Sequence, residues 1–322
     1  MDIGKSIGLE YGAPTRNAFG ESLLEIGREN KNLVVVDGDV GNSTRTEYFG
    51  EEFPERFFNV GIAESNLVGV ASGLAMSGKD VLAASFAVFL LCNAYDQIRM
   101  SVAFPNVNLK LMGSHSGISI GEDGPSQMAI EDIALATSLP NFTVLVPADA
   151  PATKAATRAM FEHKGPVYLR TGRPKVPLVY DGDFEFQIGK ANLLRDGHDL
   201  TIIACGLMVA AALEAAAELE NDGISTRVLD MHTIKPLDVE AIEQAARETG
   251  AIVTAEEHLL QGGLGAGVAR AVSERYPVPM EFVGLQDTYA GSGEPQELLE
   301  KYGLTPQHIQ SAAEKVLQRK KE

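Results

Sequence analysis

The chain has 322 residues, enough for about two domains that each bury a core. Its formal net charge of -17 excludes an extended basic surface for nucleic acid but leaves room for a local basic pocket that takes a phosphate. Hydrophobic content of 45% and charged content of 22% are ordinary for a globular protein, and the longest apolar run, 81–95, is too short and interrupted to cross a bilayer.

The 2 cysteines, Cys92 and Cys205, lie far apart inside apolar runs and read as buried thiols of a reducing compartment. The N-terminus lacks a basic start followed by an apolar core, so a cytoplasmic location without a membrane segment is expected. Residues 1–14 read as an irregular lead-in. From Thr15 to about Arg28, Phe19, Leu23 and Ile26 recur at helical spacing. Arg16 falls in the first turn, where the macrodipole disfavours a cation, which points to an anionic partner. The run 32–37 (NLVVVD) is a β-branched strand that ends in the polar loop Gly38–Ser43, by itself an ordinary Asx-type turn. A short strand at 57–61 leads to Glu64, at the mouth of a helix near 65–77 whose small apolar residues suggest burial on most sides. As a helix N-terminal acid Glu64 is unremarkable; against an apolar wall it can also share a proton. After a strand at 81–85 come Phe86, Phe89 and Tyr95 on a helix running through Met100. Such a stripe is more often core, yet Phe86 stands just past a strand end, where a planar ring can be stacked.

The apolar run 108–113 precedes a loop, 114–127, that gathers His115, Asp123, Gln127, further serines and several glycines, with a helix expected from about Gln127. A strand near 143–146, a helix at 150–162 and a strand at 166–171 follow. Arg173 lies just beyond that last strand, suited to a phosphate, whereas Arg170 inside it reads as structural. Asp39, Ser43, Glu64, Phe86, His115, Asp123 and Arg173 each come after a predicted strand, so parallel strands in one sheet would converge them on one edge. Residues 174–187 read as a linker. Beyond it, strands near 200–205, 225–229, 251–256 and 280–284 alternate with helices near 208–221, 238–247, 264–275 and 305–319. Gly262–Gly267 reads as a glycine-rich helix start, and Glu256, Glu257 and His258 as a solvated loop.

The blocks TRNAFGESL (15–23), DGDVGNST (37–44), NVGIAESN (59–66), ASFAVFLLCNAYDQIRMS (84–101), GSHSGISIGEDGPSQM (113–128) and YLRTGRP (168–174) closely resemble those of transketolases, in the family's order. The resemblance continues to the end of the chain. It implies an α/β fold of two doubly wound domains: a thiamine-diphosphate pyrimidine-binding domain, 1–185 with its linker, then a transketolase C-terminal domain, 186–322. It further implies that Glu64 bonds N1′ of the cofactor's aminopyrimidine, that Phe86 and Phe89 line its pocket, and that Asp39 lies near the thiazolium. One departure is Cys92, where some members carry a third aromatic. Arg16, Ser43, His115 and Arg173 would meet the substrate phosphate, Asp123 a hydroxyl beside the carbonyl, and Gln127 the C1 hydroxyl or carbonyl. Gly38-Asp39 is not the family's metal-binding Gly-Asp-Gly, since Val40 takes the third place. The diphosphate domain, with its Mg²⁺ or Ca²⁺, is therefore expected on a partner chain, in an α2β2 heterotetramer. The implied activity is transfer of a two-carbon ketol unit, for example from xylulose 5-phosphate to ribose 5-phosphate. Alternatives are a 1-deoxyxylulose-5-phosphate synthase, the β subunit of a 2-oxoacid dehydrogenase, a two-carbon transferase for a specialised sugar, or a non-catalytic regulatory subunit.

Overall fold

Leucine and β-branched residues with alternating environments build the sheet that carries the rest. In the computed structural model, residues 2–181 and 184–321 are described. A 7-stranded sheet runs in the spatial order Thr233–Lys235, Thr143–Leu145, Val167–Arg170, Leu109–Ser114, Asp80–Phe86, Leu33–Asp37, Phe57–Asn59. From Thr143–Leu145 to Phe57–Asn59 every pairing is parallel. Leu33, Val35, Leu82 and Met112 face Phe19 and Leu23 of helix Thr15–Glu29, while Val34, Val36, Val81 and Leu111 face Leu67, Val68, Leu90 and Leu91 on the opposite side. That two-sided burial explains why these strands read as near-continuous apolar runs; each fully buried leucine contributes about 1.5–3 kcal/mol.

Chain order reverses beside Leu33–Asp37. The chain goes outward to the edge strand Phe57–Asn59, then back across to Asp80–Phe86. Ligand crevices of open parallel sheets form at such a reversal, past the carboxyl ends of the strands. The outermost strand, Thr233–Lys235, comes from the C-terminal half and pairs antiparallel with Thr143–Leu145. A second, 5-stranded sheet runs Met280–Leu285, Ile252–Leu259, Leu200–Ala204, Thr226–Asp230, Asn192–Arg195, only the last strand being antiparallel.

Several sequence expectations need correction. The lead-in is not irregular: Tyr11–Pro14 pairs antiparallel with Lys175–Pro177, inside the supposed linker, and Ile3 is buried. The helix expected from Gln127 is Asp132–Ser138, because Ala129 is instead held in a bridge to Ser116. Helix Glu64–Met76 is buried on one side only; Gly69 and Gly73 have open space where a Cβ would stand, and Ile62 and Met76 are 76% and 60% exposed. Cys92 is exposed, whereas Cys205 is buried as expected. Glu256, Glu257 and His258 are no solvated loop. They lie buried in strand Ile252–Leu259, each held by hydrogen bonds that a local sequence window does not contain.

Candidate active-site crevice

Past the end of Leu33–Asp37, the buried Asp37 carboxylate accepts the Val40 N–H at 2.8 Å and the Thr46 hydroxyl at 2.7 Å. These bonds wind residues 38–46 into a compact loop, in which Asp39 takes φ +65° and accepts from Asn59 Nδ2 at 2.7 Å. Burial pushes the Asp37 carboxyl above the ordinary carboxylate range, against the pull of those donors.

Glu64 opens helix Glu64–Met76 with its carboxyl in the crevice, 6% exposed. Ser85 Oγ donates to Oε1 at 3.2 Å and Asn93 Nδ2 to Oε2 at 3.5 Å. Both bonds are long, so the acid keeps capacity for a stronger partner. Next to Ser85, Phe86 caps helix Ala87–Asn93 in extended conformation, and its ring lies 6.1 Å from that of Phe89 at an interplanar angle of 12°. The His115 imidazole stacks on Phe86 at 4.0 Å and 10°.

Arg16 meets this aromatic stack at His115, and Arg173 meets the central loop. Arg16 Nη1 donates to the Ser43 carbonyl at 2.9 Å and lies 3.4 Å from His115 Nε2, while its Nε is buried with no partner among the described residues. Arg173 Nη1 donates to the Ile120 carbonyl at 2.7 Å and to Glu122 at 2.9 Å, with Asp123 at 3.9 Å. His115 adopts φ +62°, a left-handed conformation that non-glycine residues adopt where the surroundings over-determine it. Burial, then Arg16, Arg173 and Arg45, hold its pKa down at about 3, so the ring is neutral at physiological pH.

The structure thus joins Arg16, Ser43, Phe86, Phe89 and His115 in one connected group, with Glu64 attached through Ser85. Arg173 and Asp123 form a second group on the central loop. Ser43 takes part through its carbonyl. Asp39 bonds Asn59, and among the described residues the Gln127 amide bonds only its neighbour Ser126, at 3.5 Å. Among the described residues no group of 3 or more His, Cys, Asp or Glu could hold a metal ion. A loosely bonded buried acid beside parallel aromatic rings fits the pyrimidine end of a thiamine cofactor.

Fold and crevice together define an α/β protein with a crevice at the reversal point of a parallel sheet. Residues 12–179 match the model of the transketolase pyrimidine binding domain, and residues 189–309 that of the transketolase C-terminal domain. The chain belongs to the transketolase family. It is 44% identical over 297 residues to a transketolase C-terminal section of Methanocaldococcus jannaschii, covering 91% of this chain and 93% of that one. It is 41% identical over 306 residues to a 6-deoxy-6-sulfo-D-fructose transketolase subunit of Clostridium sp. strain MSTE9, covering 95% of each. Among solved structures it resembles a split-gene transketolase described as an inactive beta4 tetramer, with 49% identity and a TM-score of 0.90, covering 96% of this chain and 100% of that one.

Proposed function

We propose that the chain is the C-terminal subunit of a split transketolase and moves a two-carbon ketol unit from a ketose phosphate to an aldose phosphate. The carrying observation is the contact chain that places the Glu64 acid, the Phe86–Phe89 pair and the Arg16–His115 cradle on one sheet edge. Residues 1–185 form the pyrimidine-binding domain and 186–322 the C-terminal domain; the holoenzyme acts in the cytoplasm.

Thiamine diphosphate, when bound, supplies the carbanion chemistry that no side chain can. Glu64 holds a proton against the ring nitrogen of the aminopyrimidine, and Phe86 and Phe89 orient that ring. Asp39 borders the thiazolium. Arg16 and Arg173 donate to the substrate's anionic end, and His115 and Ser43 lie against it. Asp123 and Gln127 take the hydroxyls beside the reacting carbonyl. A partner chain with the diphosphate-binding domain brings the metal, Mg²⁺ or Ca²⁺, in an α2β2 assembly. Exposed Ile62, two residues before Glu64, together with exposed Met76, Met100 and Phe104, supports a partner contact by this half of the chain.

A second reading keeps the chemistry and changes the sugar. A cradle that recognises a tetrahedral anion also accepts a sulfonate, and one relative is named for a sulfo-sugar. The test is ketol transfer from xylulose 5-phosphate to ribose 5-phosphate by this chain alone, then mixed with a candidate partner, with Glu64→Ala as control. Activity in the mixture only, lost in the variant, is expected. Activity of the chain alone overturns the split arrangement; transfer from a sulfo-sugar but not from xylulose 5-phosphate selects the second reading.

A further inference from the structure

The C-terminal sheet reaches into the substrate loop. Glu257, 6% exposed in strand Ile252–Leu259, accepts the Ser119 N–H on Oε1 at 2.6 Å. Its own carbonyl accepts from Arg170 Nη2 at 3.0 Å, and the same Nη2 donates to the Ala129 carbonyl at 3.0 Å. Arg170 Nε pairs with Asp132 at 2.8 Å. Gly117 N donates to the Ala129 carbonyl at 2.8 Å, and Leu259 N to the Ile130 carbonyl at 2.9 Å. The beginning of the loop, 116–119, and its end, 129–132, therefore close on one carboxylate and one guanidinium.

The fit leaves no slack. A Cβ on Gly117, whose φ is +79°, would lie 2.2 Å from the Glu257 carboxyl carbon. The cavity that Ser116, Ser119, Arg170 and Glu257 help to line, with Thr15, Val146 and Leu207 among others, holds about 30 Å³, room for water. The network is thus a support and not a ligand pocket. Farther along the same loop, a Cβ on Gly121 would meet Pro295 at 3.1 Å, a second close approach from the C-terminal half.

We propose that Glu257 is the positioning residue of the substrate loop, and that through it the C-terminal domain sets where His115, Asp123 and Gln127 meet the sugar. The proposal rests on the ketol-transfer reading above. A hydrogen bond from a buried side chain to loop backbone holds the loop in one geometry, and small misplacement of substrate-holding groups is expensive in rate.

The test has two arms. In the assembled holoenzyme, Glu257→Ala is expected to raise KM for the ketose donor about tenfold while thiamine diphosphate affinity stays within about twofold. Glu257→Gln, which keeps an acceptor for Ser119, recovers much of that loss. Gly117→Ala, which displaces the loop from its own side with the carboxylate intact, gives the same signature and decides the matter if Glu257→Ala does not assemble. In the chain alone, hydrogen exchange across 116–127 should quicken in both variants while 80–86 stays protected. Unchanged exchange, unchanged KM, or parallel loss of cofactor affinity and donor affinity each overturns the proposal, the last by showing a general structural role. If the wild-type holoenzyme transfers no ketol unit from any donor, the functional reading fails, and the exchange arm still decides whether Glu257 holds the loop.

Discussion

Arg16 Nη1 stands 3.4 Å from His115 Nε2, on a ring whose other nitrogen contacts Ser114 Oγ. A guanidinium only donates, so Nε2 is the acceptor and Nδ1 carries the hydrogen, donated to the serine. The imidazole is thereby set in one neutral tautomer before any ligand arrives. Burial and the neighbouring arginines keep it neutral to about pH 3, whereas in the unfolded chain it protonates below about 6.5. Because the unfolded state then binds the extra proton, stability is lost as pH falls from about 6.5 toward 3. NMR of the imidazole should show this late titration. Arg16→Ala should move the midpoint upward by removing the nearest cation, and so should a sugar phosphate bound among the arginines. A wild-type midpoint near 6.5 would contradict the assigned environment.

Glu64→Gln should fold and assemble normally, since its amide oxygen can still accept from Ser85 and only the long bond from Asn93, on the other oxygen, is lost. It cannot share a proton with the cofactor ring, and ketol transfer should fall about 10²–10⁴-fold, the usual worth of a positioned acid–base group. Steady-state kinetics with saturating cofactor measures this. A loss under about tenfold would remove Glu64 from the chemistry.

Arg173 is 35% exposed and shared between the Ile120 carbonyl and Glu122, a partnership that a substrate phosphate can displace. Charge-assisted bonds contribute about 1.5–3 kcal/mol, so Arg173→Ala should raise KM for a phosphorylated sugar about 10–100-fold. An unphosphorylated analogue should be affected little. Arg173→Lys should recover only part, because a point charge replaces a planar fork. Equal effects on both sugars would place the phosphate elsewhere.

Asp132 is fully buried and accepts from both Arg170 Nε at 2.8 Å and the Tyr168 hydroxyl at 2.7 Å. Asp132→Ala strands the guanidinium and should cost about 3–5 kcal/mol in urea unfolding. Replacing both members, Asp132→Leu with Arg170→Met, should cost less than the single change, since the stranded charge is then gone. The reverse order would show that hydrogen bonds to Ala129 and Glu257 dominate the role of Arg170.

The parts of the fold legible in the sequence are those with local causes. Helices Ala150–Glu162, Met208–Asn221 and Leu264–Arg275 have the expected bounds; the first is marked by Asp149, whose carboxylate caps the Ala152 N–H, with a proline in the first turn. Parallel strands buried on both faces announce themselves as apolar runs, and their carboxyl ends located the crevice. What was not legible depends on distant partners. Glu256 looks like a surface acid, yet it accepts the Leu264 and Gly265 N–H groups at 2.7 and 2.8 Å and so caps a helix from within the core. Thr233–Lys235 is too short to carry a period and is a strand only because Thr143–Leu145 offers an edge. Cys92 sits in an apolar stretch but faces outward, because short helix Ala87–Asn93 buries Ala87, Leu90 and Leu91 on its other side.

The loan of Thr233–Lys235 to the first sheet makes the two halves poor candidates for separation. A fragment cut near residue 185 would keep the crevice residues yet leave the backbone of Thr143–Leu145 unpaired along a sheet margin. An open margin of that kind recruits whatever extended segment is at hand, including the same margin of a second copy. The strand that seals the margin of the first sheet thus comes from the second half of the chain, so the first sheet is complete only when both halves are present.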